Sequence, residues 1–205
     1  MALNFANNNS LSAITAKPSG LSGGALNLIS TQTASSSSTI SFTSGIDSTY
    51  DEYVFKFIDI HPATDGSAFQ FQGSTNSGSS YGVTITSSCF LNYHDESDSY
   101  AALAYDDSND LAQSTSFQNL FNQVGNDNDQ NGNGTLQIFN PSSTTYVKHF
   151  ISTTNYCRNS IGGNNGTQNS RIAGYYNTTS VINAIQFKMS SGNIDSGVIK
   201  LYGVS

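Results

Sequence analysis

Along this chain apolar residues recur at every second position in short runs, and the runs are cut by Gly, Ser, Asn and Asp. That period sends successive side chains to opposite faces of an extended backbone, so the runs predict β-strands joined by turns. Ile40 and Phe42 alternate with Ser41, Phe69 and Phe71 with Gln70 and Gln72, and Tyr81, Val83 and Ile85 with Gly82 and Thr84. Ile185, Phe187 and Met189 face one way and Gln186 and Lys188 the other, while Ile199 and Leu201 flank Lys200. Tyr53–Ile58 is apolar on both faces, which predicts a central strand. Leu136–Phe139 and Tyr146–Ile151 flank Asn140-Pro141-Ser142-Ser143, the pattern of a hairpin with a longer loop. No convincing amphipathic helical stripe occurs, and Asp110–Gln123 is the one stretch where a helical turn is expected. About ten short strands at regular spacing predict an all-β fold, an antiparallel two-sheet sandwich of jelly-roll-like type.

The sandwich is expected over residues 28–205, preceded by an extended N-terminal arm over residues 1–27. The arm holds small polar residues, the turn-like Lys17-Pro18-Ser19-Gly20 and the pair Gly23-Gly24. Its apolar residues, Leu3, Phe5, Leu11, Ile14 and Leu21, are too sparse to form a core alone. They are the candidates for attachment to another protein or for exchange between subunits.

Composition changes this picture little. Charged residues are only 10% of the chain, and the polarity comes from Ser, Thr, Asn and Gln, which suit strand faces and turns. With 11 Tyr and 12 Phe the chain lacks the signature of disorder. Charge matters more. A net charge of −7 argues against binding a phosphate backbone and against docking on an anionic membrane surface. No run of about 18 apolar residues predicts a membrane span. The first residues carry neither a basic nor an apolar signal region, so assembly inside a cell and release by lysis are expected. Cys89 and Cys157 are the two cysteines, without metal or redox spacing, and structural thiols are expected.

Candidate chemistry is thin. The three histidines, His61, His94 and His149, sit in neither H-E-x-x-H nor beside a G-x-S-x-G serine. His61 precedes Pro62 at a strand end, His94 opens the acidic run Asp95-Glu96-Ser97-Asp98, and His149 alternates with Val147 and Ile151, which suggests a core or interface position. Asp127-Asn128-Asp129-Gln130-Asn131-Gly132 has the alternating oxygen ligands and glycine of the first half of a calcium loop. Asp127, Asp129 and Asn131 are therefore the candidate Ca2+ ligands. Ile138 stands where the closing Glu would be, so the alternative is a plain Asn/Asp/Gly turn. Asp95, Glu96 and Asp98, with Asp106, Asp107 and Asp110, form either a cation-holding pair of loops or a solvated edge. Tyr93, Tyr100, Tyr105, Tyr175 and Tyr176, beside Asn and Asp, are candidates for a glycan platform, with packing between sheets or subunits as the alternative. Glycosylation sequons occur at Asn8, Asn133, Asn165 and Asn177.

Six stretches carry a family resemblance: Ser41–Tyr53, Asp110–Thr115, Ile138–Phe150, Ala173–Ser180, Phe187–Asp195 and the ending Ile199-Lys-Leu-Tyr-Gly-Val-Ser205. They resemble a structural-protein family of tailed phages that infect cyanobacteria and other aquatic bacteria, whose members commonly end on a strand of this closing form. The resemblance implies a virion structural, decoration or tail-fibre protein, made in the host cytoplasm and carried on the virion surface. It brings no catalytic residues, so the chain is expected not to be an enzyme. The expected partners are other capsid or tail proteins and further copies of the chain, with a trimer favoured. The alternative is a receptor-binding module for host-surface polysaccharide. A depolymerase is a weaker expectation, because it calls for paired carboxylates in a groove.

Overall fold

The computed structural model describes residues 25–205, and the attachment residues Leu3, Phe5, Leu11, Ile14 and Leu21 lie outside them. The described residues are all-β. Twelve strands follow one another: β1 (Leu26–Ser37), β2 (Ile40–Phe42), β3 (Glu52–Pro62), β4 (Ser67–Ser74), β5 (Ile85–Asp95), β6 (Ala101–Tyr105), β7 (Gln118–Val124), β8 (Gly132–Phe139), β9 (Lys148–Ile161), β10 (Asn164–Tyr176), β11 (Ala184–Met189) and β12 (Ile194–Val204). Every pairing between them is antiparallel.

One hydrogen-bonded path runs β1-β12-β3-β8-β9-β7-β4-β11-β2. Its two ends come back together, since Gln32 on β1 donates from Nε2 to the Ser41 carbonyl on β2 at 2.7 Å. The result is a nearly closed sheet, which leaves few unpaired backbone groups at its edges. From β9 the sheet also extends outward through β10 and β5 to β6. The β7–β9 link is narrow, a single pair at Val124 and Arg158. The expected helical turn in Asp110–Gln123 is absent; β7 begins at Gln118, and Ser114 bridges Ile85. The boundary expected between residues 27 and 28 falls inside β1.

The core is aromatic. Phe187 on β11 lies at its centre, with ring centroids 5.1 Å from Phe55, 5.3 Å from Phe57, 5.7 Å from Phe69 and 6.1 Å from Phe42. Those rings come from β11's sheet neighbours β2 and β4 and from β3, so one side chain ties β11 across the enclosure to β3. Edge-to-face and offset contacts of this kind add to the hydrophobic gain of burial. Tyr53 is buried too, and its hydroxyl donates to the Asp47 carbonyl at 3.0 Å while accepting from the Asp47 amide at 3.0 Å. The Ser41–Tyr53 stretch therefore runs from β2 to β3 through a loop held to the core by Tyr53.

Part of the interior is polar. Gln118, fully buried, donates to the Asn109 carbonyl at 2.7 Å and accepts from Ser87 Oγ at 2.6 Å. Ser152, Thr154, Gln168 and Ser170 on β9 and β10 also point inward. Lys148 is buried as well, with Nζ donating to the carbonyls of Tyr146 at 2.9 Å and Thr178 at 3.1 Å, and burial pulls its pKa down. Each of these groups has found a partner, which is what makes burying it tolerable.

Candidate functional site

The branch β9-β10-β5-β6 turns one face inward and the other to solvent. The register fixes what stands side by side on the outer face. Asn92 on β5 pairs with Asn169 on β10, Asn169 with Asn155 on β9, and Asn155 with Asn133 on β8. This is a ladder of asparagines running across four strands. Two residues along each strand lies a second row, Phe90, Arg171, Thr153, Thr135, Lys56 and Lys200, continuing onto β3 and β12. A third row is mixed: Ser88, Ala173, Ile151, Gln137, Val54 and Tyr202, with apolar side chains at Ala173, Ile151 and Val54 and with Gln137 donating to Glu52 Oε1 at 3.2 Å. Successive members of a row are about 4.8 Å apart and neighbouring rows about 7 Å apart, from ordinary strand geometry.

The ladder amides are oriented. Asn155 donates from Nδ2 to Thr167 Oγ1 at 2.8 Å and to the Gln168 carbonyl at 3.1 Å, and Asn169 donates to the Thr154 carbonyl at 2.8 Å. No hydrogen bond within the described residues engages the Oδ1 atoms of Asn155 and Asn169, whereas Asn133 Oδ1 accepts from the Asp59 amide at 2.9 Å. In the second row Lys56 and Lys200 stand directly opposite one another, an arrangement that repels. Lys56 Nζ lies 5.4 Å from the centroid of the Tyr202 ring. Among the described residues no lysine or arginine pairs with a carboxylate. The second and third rows hold no Asp or Glu. Between them, Phe90, Arg171, Thr153, Ile151 and Ala173 line a hollow of about 230 Å³, and a second hollow of about 520 Å³ continues toward His149 and Tyr175.

The chain matches no protein-family model, no curated protein and no solved structure. The site is therefore judged on its geometry.

The five candidate tyrosines do not converge. Tyr105 and Tyr175 are on the outer face, Tyr105 edge-on to Phe90 at 5.4 Å and Tyr175 beside His149 at 5.8 Å. Tyr93 faces the other side, with the Arg158 guanidinium 5.8 Å from its ring centroid. Tyr100 lies in the β5–β6 connection, packed over Gly162, where any Cβ would strike its ring. Tyr176 is a correction, because it is fully buried in the core and no ligand in solvent reaches it. Gly73 makes this possible, since a Cβ there would stand 2.8 Å from Tyr176 Cζ.

Of the two positions expected for His149, core or interface, the core one is corrected: His149 sits on the exposed face of β9, because Lys148, Phe150 and Ser152 take the inward positions. His61 Nδ1 lies 2.7 Å from the Gln130 carbonyl, and His94 Nε2 3.0 Å from Asp98 Oδ1. The three histidines stand on three different strands, β3, β5 and β9.

The Asp127–Gly132 loop closes on itself. Gln130 donates its amide to the Asp127 carbonyl at 2.8 Å, Asp127 and Asp129 are exposed, and Asn131 Oδ1 accepts from Asn133 at 2.9 Å. Among the described residues no group of three or more His, Cys, Asp or Glu side chains is placed to hold a metal. The turn chemistry of Asn, Asp and Gly accounts for this segment. The other acidic run also serves a turn. Asp95 Oδ1 accepts the amides of Ser99 and Tyr100, each at 2.8 Å, while Oδ2 accepts from Ser97 and from Asn164 at 3.0 Å. Led by the Ser97 hydroxyl, these donors stabilise the carboxylate and pull its pKa down to about 2. Asp110 accepts from the Tyr105 hydroxyl at 2.5 Å.

Cys89 and Cys157 are both free, and burial, together with Asp106, pushes the Cys89 thiol up to about 12, so it is a poor nucleophile. No helix among the described residues is long and apolar enough to cross a membrane. The asparagine ladder is the functional feature that sequence reasoning missed. Its signal was a polar residue at alternate positions of polar strands, which reads as turn composition until the register is known.

Proposed function

We propose that this chain is a non-enzymatic structural protein of a tailed-phage particle, a capsid decoration or tail-associated subunit exposed on the particle surface. The segment before β1 attaches it, copies associate as a symmetric homo-oligomer with three-fold symmetry favoured, and other capsid or tail proteins are its partners. The observation that carries the reading is where the family-like stretches lie. The closing run Ile199–Ser205 lies in β12, paired on one side with β1 and on the other with β3. Ser41–Tyr53 is the loop pinned through Asp47, and Ile138–Phe150 joins β8 to β9. These three stretches thus help hold the fold together, and Lys200 and Tyr202 of the closing run also reach the outer face. In this reading β7-β4-β11-β2 is the second layer of a jelly-roll-like sandwich, hinged on the narrow β7–β9 link. The acidic balance of the chain argues against nucleic acid and membrane as partners. Deleting residues 1–25, which leaves β1 whole, is expected to yield a folded protein that no longer enters virions. Normal incorporation of the truncated chain defeats the attachment role.

A second reading is favoured by the outer face: a receptor-binding module for host-surface glycan. Exposed aromatic rings beside oriented amides are the chemistry that stacks on sugar faces and bonds sugar hydroxyls. Binding of the purified chain across a panel of host-derived saccharides tests it, and no binding to any of them counts against it.

A further inference from the structure

We infer that the outer face of β10-β9-β8-β3-β12 is a binding site for an acidic polysaccharide, a chain bearing uronate carboxylates laid across the strands along the Arg171–Lys200 row. The inference rests on the glycan-binding reading and gives that reading a site, a direction and a charge.

Charge makes the first argument. In a chain of net charge −7, Arg171, Lys56 and Lys200 stand in one row of one face, with no Asp or Glu in that row or in the row beside it, where Gln137 donates to Glu52 Oε1 at 3.2 Å. Lys56 and Lys200 are direct cross-strand neighbours, an arrangement that costs stability and is relieved when an anion sits between them. Arg171, exposed and without a hydrogen-bond partner among the described residues, presents its planar fork to solvent. That fork matches a carboxylate in two parallel hydrogen bonds.

Spacing makes the second. Along the row each strand contributes one position about every 4.8 Å. An extended α-(1→4)-linked galacturonate chain advances by nearly the same distance per ring and, wound as a three-fold helix, returns its carboxylate to the same side every third ring. Arg171 and Lys56 are three strands apart, about 14 Å, so they meet carboxylates on rings three positions apart.

The flanks make the third. On one side of the row the Asn155 and Asn169 Oδ1 atoms, held in place by their own Nδ2 hydrogen bonds, accept from sugar hydroxyls. On the other side Ile151 and the floor at Ala173 and Ser88 give an apolar bed for ring C–H groups, in the hollow of about 230 Å³ beside Arg171 and Phe90. Acceptors, charges and an apolar bed lie in three parallel rows, as the hydroxyl edge, carboxylates and ring face of one sugar chain require. Asp106 and Asp107 follow β6 directly and Asp110 accepts from Tyr105, so the β6 end is acidic and the uronate chain runs away from it. A DNA duplex also answers to the positive row but does not use the asparagine ladder or the apolar bed.

The test is isothermal titration calorimetry of the full-length chain with oligogalacturonate, with neutral maltodextrin and with a short DNA duplex. Arg171→Gln and Ala173→Glu are measured beside the native chain, and both positions are exposed, so their melting curves should match it. The expected result is binding of oligogalacturonate over maltodextrin, weakened about tenfold by Arg171→Gln, from losing one charge-assisted pair, and abolished by Ala173→Glu. Equal binding of maltodextrin that ignores Arg171→Gln overturns the inference but leaves the glycan reading standing. Preference for the DNA duplex overturns the inference in favour of a polyanion site. No binding of either saccharide by the native chain overturns the inference, and failure across the whole saccharide panel overturns the glycan reading with it.

Discussion

Replacing Phe187 by alanine removes the ring that four others meet, those of Phe42, Phe55, Phe57 and Phe69. The side chain is fully buried, so the loss contains both the transfer free energy of the ring and the cavity left behind. For a buried phenylalanine the two together cost about 3–5 kcal/mol. The upper half of that range applies here, because the neighbours are themselves rings anchored on three other strands and cannot collapse into the space. In a chain of this size the cost corresponds to a melting temperature lower by about 8–20 °C. Urea unfolding followed by circular dichroism measures it, with the midpoint shifting and the slope unchanged if the transition stays two-state. Ile151→Ala is the control, since that side chain is 46% exposed on the outer face and its truncation should stay within about 0.5 kcal/mol. A loss below about 1 kcal/mol for Phe187→Ala, no larger than an average substitution, refutes the packing of β11 against β3.

Tyr176 is buried with no partner for its hydroxyl, so Tyr176→Phe should be neutral or stabilising in thermal melts, and a large loss contradicts its placement. Tyr53→Phe removes the hydroxyl that holds Asp47 and should cost about 1–2 kcal/mol in urea unfolding, whereas no change refutes the pinned loop. Asp95 has a folded pKa lowered from 3.8 to about 2, so its contribution is fully present above about pH 4 and is lost as pH falls through about 2. The protection factors of the Ser99 and Tyr100 amides, the intrinsic rate at each pH divided by the observed one, should therefore fall across that window in the native chain. In Asp95→Asn they should be low at every pH, and a pH-independent native protection factor contradicts the assignment.

The strands legible in the sequence were those whose inward positions are apolar. β3 shows as Tyr53–Ile58, β11 as Ile185, Phe187 and Met189, and β12 as Ile199 and Leu201, each with the expected alternation. β10 was hidden because Gln168 and Ser170 occupy its inward positions and satisfy one another and their neighbours by hydrogen bonds, which leaves no hydrophobic period to detect. The core alternative for His149 fails for a related reason. Val147 and Ile151 offer one apolar parity and Phe150 the other, and burial of Lys148 decides between them, an outcome no pattern rule anticipates. Tyr176 shows the same limit for the site: adjacent tyrosines on a strand point to opposite faces, so Tyr175 and Tyr176 cannot both belong to one platform. The asparagine ladder depends on which strands are neighbours, and Asn92, Asn133, Asn155 and Asn169 become a single feature only once β5, β10, β9 and β8 are paired in register.

The most direct measurement on the central claim is a cryo-electron microscopy map of the intact particle that carries this chain. The account predicts symmetric copies projecting from the head or tail surface, joined to it through the segment before β1, with the asparagine ladder and the Arg171 row facing solvent. Purified particles without the chain, or density that buries that outer face beneath the shell, would contradict it.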